Sequence, residues 1–189
     1  DGGYGLRLFD DVVGTNSLII EDCWLEFCER GINTGLSSDL IIRRNIIMNS
    51  YNEGAHAQGI FTSEAQHIIE ENFFYHNGWY KQAIDPGDPS YPGTSEGEGQ
   101  ATLFNHNMYL NRPRNSLVRN NISIKPSSIH VKTTANSTGG ADSITSWDFV
   151  GHNNLLIDGE VGFSVGGNTD YNTGARYRDI RISRNVTTQ

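Results

Sequence analysis

LIIRRNII, from Leu40 to Ile47, sets an apolar run, two charged residues, an asparagine and a second apolar pair side by side. The same order returns as IIEENFF (Ile68 to Phe74), SLVRNNIS (Ser116 to Ser123), VGHNNLL (Val150 to Leu156) and IRISRNVT (Ile180 to Thr187). LIIEDCWL, Leu18 to Leu25, fits the frame with Cys23 in the asparagine slot. The anchors Cys23, Asn45, Asn72, Asn121, Asn154 and Asn185 are 22, 27, 49, 33 and 31 residues apart. A minimum near 22 with long insertions describes one solenoid coil per repeat rather than a pair of helices.

Between the anchors a second strand recurs, beginning at Gly5 (GLRLF), Gly31 (GINTG), Gly59 (GIFTS), Asn107 (NMYLN), Ser128 (SIHVK) and Gly162 (GFSVG). Two or three strands in each turn predict an all-β fold, a right-handed parallel β-helix with long loop insertions. Each strand would pair with its counterpart one coil away, at roughly 4.8 Å. The single domain spans 1–189. These repeats resemble those of the right-handed parallel β-helix proteins of the pectate-lyase-like superfamily, over nearly the whole chain.

Side chains alternate along a strand, so aligning the coils assigns faces. The expected inward columns are Leu6, Ile32, Ile60, Met108, Ile129 and Phe163, then Leu8, Thr34, Thr62, Leu110, Val131 and Val165. The outward columns are then Arg7, Asn33, Phe61, Tyr109, His130 and Ser164, followed by Phe9, Gly35, Ser63, Asn111, Lys132 and Gly166. The anchor asparagines are expected to stack inside a turn, since an amide both donates and accepts along a column. Glu21, Arg43, Glu70 and Arg119, with Asp22, Arg44, Glu71 and Asn120 beside them, read as solvated charge ladders that hold register. The sequons at Asn121 and Asn185 fall in the inner anchor column and read as chance occurrences, as does the one at Asn136.

Composition narrows the function. Fourteen basic against 22 acidic residues give a net charge of -8, which opposes general affinity for nucleic acid or anionic membranes. There is no apolar run of eighteen residues to span a membrane. Cys23 and Cys28 are too few for a disulfide framework or a zinc site and read as buried thiols. The chain opens on DGGYGLRLF, with no initiator Met or leader, so a fragment of a longer protein is expected.

The outward stripe gathers chemistry toward its second half, where Tyr109, His130 and Lys132 would converge. His106 and His76 flank the longest insertion, Gly78 to Gln100, and Arg112 follows Asn111. Arg7, Phe61, His76, Trp79, Asn107, Asn111 and Arg112 are the expected substrate-binding residues, and His130, Tyr109, Lys132 and His106 the expected catalytic ones. Trp79, Tyr80, Tyr91 and Tyr171 are of the type that stacks on sugar rings. No metal site has diagnostic spacing, although Asp85, Asp88, Glu96 and Glu98 are the residue types of a Ca²⁺ site built with loop carbonyls.

The resemblance implies a polysaccharide partner and an extracellular, cell-surface or periplasmic setting. A lyase acting on a uronic-acid polymer needs a cation, a base and a proton donor. Lys132 or Arg112, His130 or His106, and Tyr109 supply those types. A glycoside hydrolase needs two carboxylates, which the stripe lacks; Glu64 and Asp85 are the nearest offers. A third reading is a non-catalytic binding or fibre module, such as part of a phage spike or adhesin.

Overall fold

The computed structural model describes residues 3–10, 13–14, 16–52, 56–63, 66–79, 105–135, 144–166 and 176–189. Within them the chain is all-β, with three parallel six-stranded sheets visited in turn, six times over. Sheet 1 takes Tyr4–Arg7, Arg30–Asn33, Gln58–Ser63, His106–Asn111, Ile129–Thr134 and Val161–Val165. Sheet 2 takes Ile19–Glu21, Leu40–Arg43, His67–Glu70, Arg114–Arg119, Ile144–His152 and Arg176–Ser183. Sheet 3 takes Trp24–Glu26, Ile46–Met48, Phe73–Tyr75, Ile122–Ile124, Leu155–Ile157 and Val186–Thr188. This cyclic order is the one a parallel β-helix requires, and each pass is a coil below. One short antiparallel pair, Phe9–Asp10 with Val13–Gly14, stands apart from it.

The bend from sheet 2 to sheet 3 shows why the repeat contains an asparagine. Asp22, Arg44, Glu71, Asn120, Asn153 and Arg184 all take the left-handed conformation, with φ between 53° and 58°. One such residue turns the chain between strands, at a cost set by the crowding of its Cβ. The next residue repays the bend with hydrogen bonds. Asn72 Oδ1 accepts from the Asn45 backbone N–H at 3.0 Å and from Asn45 Nδ2 at 2.9 Å. Its own Nδ2 donates to Ile42 O and to Asn121 Oδ1. The pattern runs through Asn121 and Asn154 to Asn185, while at the other end Cys23 contributes only its N–H, to Asn45 Oδ1. A second left-handed column, Phe27, Asn49, His76, Lys125 and Asp158, turns the chain out of sheet 3.

The core follows the predicted alternation. Ile20, Ile42, Ile69 and Val118 stack inside sheet 2, and Ile47, Phe74 and Leu156 inside sheet 3. The charge ladders also hold: Arg43 Nε meets Glu21 at 2.7 Å, Arg44 meets Asp22 at 2.9 Å and Arg119 meets Glu70 at 2.7 Å. Asn121 and Asn185 sit in the amide ladder, as expected of inner positions, and Asn136 lies outside the described residues. Cys23 and Cys28 are free and half-buried rather than fully buried.

The register of one strand departs from the alignment. Met108 pairs with Val131, not Ile129, and Tyr109 pairs with Lys132, not His130. The inward columns of sheet 1 therefore continue through Val131 and Thr133. Ile129 sits opposite His106, one outward column earlier.

Candidate functional site

The outward side of sheet 1 carries three columns. Tyr4, Arg30, Gln58, His106, Ile129 and Val161 form the first, and Arg7, Asn33, Phe61, Tyr109, Lys132 and Ser164 the second. Ser63, Asn111 and Thr134 lie in the third. Among the described residues, every charged side chain at these positions is a cation, and no carboxylate stands among them.

At one end, the Arg7 guanidinium lies 5.2 Å from the Tyr4 ring centre. Arg30 reaches both Tyr4, at 5.8 Å, and Phe61, at 4.9 Å. Stacking on ring faces holds these cations, and Arg30 Nε also donates to the His56 carbonyl at 3.3 Å and lies 4.0 Å from Glu29. Phe61 and Tyr109 then touch across adjacent coils, with ring centres 5.3 Å apart. Arg30 and Tyr4 were not singled out from the sequence, because the repeat frame began one residue too late to include their column.

Tyr109, Lys132 and His106 are brought together. Tyr109 and Lys132 are half-buried register partners, and His106 packs edge-on to Tyr109 with ring centres 5.6 Å apart. Lys132 Nζ donates to Ser164 Oγ at 3.0 Å and to the Gly166 carbonyl. Burial lowers its pKa from the usual lysine value. His106 is buried, and burial, reinforced by Lys132 and His56, pulls its pKa down to about 3, so the ring is neutral. Beside this group Asn111 donates to Ser63 Oγ at 3.2 Å and accepts from Thr134 Oγ1 at 2.9 Å. Arg112 follows in a left-handed turn at φ 54°, its pKa lowered by burial and by Arg114.

His130 stands elsewhere, and its expected outward position is corrected: the side chain is fully buried inside the coil. Asn77 Nδ2 donates to Asn107 Oδ1 at 2.9 Å, and Asn107 Nδ2 donates to Ser123 Oγ at 2.7 Å. The Ser123 hydroxyl is then free to donate to His130 Nδ1, 2.7 Å away, which leaves the proton on Nε2. That Nε2 is buried without a partner, close behind Gly159: a Cβ there would come within 2.4 Å of it. Burial lowers the His130 pKa to about 4. Asn107, expected to bind substrate, belongs to this interior chain and is likewise fully buried.

His76 and Trp79 form a separate pair. Their rings stack at 4.5 Å with 13° between planes, and His76 Nδ1 donates to Asn49 Oδ1 at 3.2 Å. His76 is the turn residue leaving sheet 3, and Trp79 borders an open cleft of about 400 Å³ shared with Lys125, Asp158 and Glu160. No set of three metal-ligating side chains gathers among the described residues. Glu64, Asp85, Asp88, Glu96, Glu98, Tyr80, Tyr91 and Tyr171 lie outside the described residues, as does the Phe9 side chain.

Fold and face together define an all-β protein of three parallel six-stranded sheets with an aromatic, cationic outer surface on one of them. Compared with family models, with curated proteins and with solved structures, the chain matches none of them. No helix is long and apolar enough to cross a membrane among the described residues.

Proposed function

We propose that the chain is a right-handed parallel β-helix of the pectate-lyase-like kind, acting outside the cell or at its surface. In this reading it holds a uronate-containing polysaccharide along the outward face of sheet 1 and cleaves it by β-elimination. The observation that carries the reading is the sign of that face. On a chain of net charge -8, the described outward positions of sheet 1 pair Arg7, Arg30 and Lys132 with Tyr4, Phe61 and Tyr109. Cations beside aromatic rings fit a ligand that alternates carboxylates with apolar sugar faces.

Elimination moves the proton α to the uronate carboxylate onto a base, forms a carbon–carbon double bond and expels the glycosidic oxygen, which takes up a proton. Lys132 neutralises the carboxylate as negative charge develops next to it. His106, held neutral, is the acceptor for the α-proton, and the Tyr109 phenol donates to the leaving oxygen. The absence of outward carboxylates on the described part of sheet 1 favours this chemistry over glycoside hydrolysis at the same place. One observation favours a second reading, a module that holds sugar without cutting it: His106 is 4% exposed and a weak base.

The test incubates the protein with uronate and neutral polysaccharides, following ultraviolet absorbance of unsaturated ends, reducing ends and binding by calorimetry. Unsaturated products that disappear in Tyr109→Phe and fall sharply in Lys132→Ala are expected. Reducing ends without absorbance indicate hydrolysis, and binding without products indicates a holding module. Failure to bind any acidic polysaccharide refutes the ligand class itself.

A further inference from the structure

The outward side of sheet 3 carries a different chemistry. Its first column reads Trp24, Ile46, Phe73, Ile122, Leu155 and Val186 through all six coils. Its second reads Glu26, Met48, Tyr75, Ile124, Ile157 and Thr188. Ten of these twelve positions are apolar or aromatic, and Glu26 carries the face's one charge. Trp24 is 64% exposed, Ile122 41% and Val186 56%, and the other seven apolar positions are half-buried. The inward partners Ile47, Phe74 and Leu156 already fill the core, so the outer columns add nothing to it.

A flat sheet face finds a natural partner in another sheet, because two sheets pack about 10 Å apart with their side chains interleaved. Six strands about 4.8 Å apart and two outward columns about 7 Å apart cover roughly 400 Å² in plan, and more in accessible surface because the side chains stand off the sheet, against the roughly 800 Å² that each partner contributes to a standard interface. Isolated apolar residues on a surface need no explanation, but a continuous patch of this size marks a contact.

We propose that sheet 3 is the interface between two copies of this chain, packed face to face with the coil order reversed. The two-fold axis then runs along the strands, and the first coil of one copy covers the sixth coil of the other. Trp24 meets Val186, Ile46 meets Leu155 and Phe73 meets Ile122, so each ring opposes an aliphatic side chain. Glu26 meets Thr188 instead of a second Glu26, and the two carboxylates stand at opposite ends of the interface. Keeping the coil order would place both at the same end, where like charges repel.

Trp24 is the anchor of this arrangement. Its Nε1 donates to Glu26 Oε2 at 3.1 Å, and Glu26 Oε1 accepts from Asn49 at 3.0 Å. The indole is therefore held in place before association, which lowers the entropy lost on docking.

Sedimentation velocity over the micromolar range tests the inference, with a mass twice 21.0 kDa expected for the wild-type chain. In Ile122→Lys the two-fold axis puts a lysine into the interface twice, and the dissociation constant is expected to rise at least about 100-fold. Circular dichroism and the thermal midpoint of the monomer show whether that variant is folded. The order of the coils is read by mixing a Trp24→Cys chain with a Val186→Cys chain, both in a Cys23→Ala, Cys28→Ala background: a bis-maleimide that spans about 10 Å, the distance between packed sheets, should link the two chains. A wild-type chain that stays monomeric throughout the range overturns the inference, as does a folded Ile122→Lys that associates as the wild type does. A dimer that the cysteine pair fails to link overturns the reversed order. None of these outcomes depends on the polysaccharide reading.

Discussion

Three of the four buried imidazoles among the described residues make the fold acid-sensitive in a way that can be worked out in advance. His67, His106 and His130 are all buried, and burial lowers their pKa values from 6.5 to about 4, about 3 and about 4. Neither ring nitrogen of His67 has a partner, nor does His106 Nδ1 or His130 Nε2, so the folded chain has little to stabilise a charged ring. Above pH 6.5 each group is neutral in both folded and unfolded chains and stability is indifferent to it. As the pH falls below 6.5 the unfolded chain takes up a proton that the folded chain refuses, and stability is lost until the folded pKa is reached. At about pH 5 the gap is about 1.5 pH units, worth about 2 kcal/mol for each histidine at about 1.4 kcal/mol per unit. The three together remove about 6 kcal/mol, against a total stability of about 5–15 kcal/mol for an ordinary domain.

Glu21 is held below its usual value by Arg43 and Asp22 by Arg44, so both lose their protection only at lower pH. Urea unfolding followed by circular dichroism at pH 8 and at about pH 5 should show the midpoint falling steeply. In His67→Leu the wild-type loss should shrink by about a third, because Leu40 on the adjacent coil shows that the slot accepts leucine. A midpoint that does not move between the two pH values, or a His67→Leu chain that keeps the full wild-type loss, refutes the reasoning.

Asn72→Ala removes one amide from the middle of the ladder and takes away the partner it gives the Asn45 backbone N–H and Ile42 O, while Asn45 Nδ2 keeps Ile20 O and Asn121 Oδ1 keeps the backbone N–H of residue 72; a loss of about 2–5 kcal/mol in chemical denaturation is expected, since each buried unpaired group costs about 1–3 kcal/mol. Gly159→Ala places a Cβ 2.4 Å from His130 Nε2 and 2.9 Å from Pro126 Cγ, so it should lower the unfolding midpoint, and in a double-mutant cycle the same substitution should cost less in a His130→Ala chain, where the Pro126 contact alone remains.

The coils were legible because the amide ladder leaves a mark that insertions cannot erase. An asparagine that must meet its counterpart one coil away has to recur once per coil, however many residues intervene. Spacings as unequal as 22 and 49 therefore still reported one structure. Alternation in turn revealed the core, since a strand with one buried face cannot shift by one residue without exposing it.

The same alternation explains the error at His130. A shift of two residues preserves the alternation, and threonine serves as well as valine in the inward columns: Thr34, Thr62 and Thr133 are all buried, while Ile129 moves to the column of His106. Nothing in the period distinguishes Ile129 from Val131 as the partner of Met108. The missed signal lay on another sheet. Ser123 is a buried hydroxyl in a column whose other members include Ile47, Phe74 and Leu156, and a polar group in that position requires a partner. His130 and Asn107 are that partner, and they occupy slots across from Gly162 and Gly59, where the chain bends inward.

The contrast between the two outer faces then carries weight that no single residue has. Both are built by the same two-residue period from neighbouring parts of each coil, so their differences are not imposed by the fold. Sheet 1 mixes cations, rings and amides outward, as suits a surface that must exchange water for a polar ligand. Sheet 3 repeats apolar residues through six coils, which suits a surface that stays covered. If two copies join through sheet 3, both sheet 1 faces remain outside and run in opposite directions. A polymer long enough to reach both would then be held at two points, and its apparent affinity would exceed that of a short fragment by more than contact area explains.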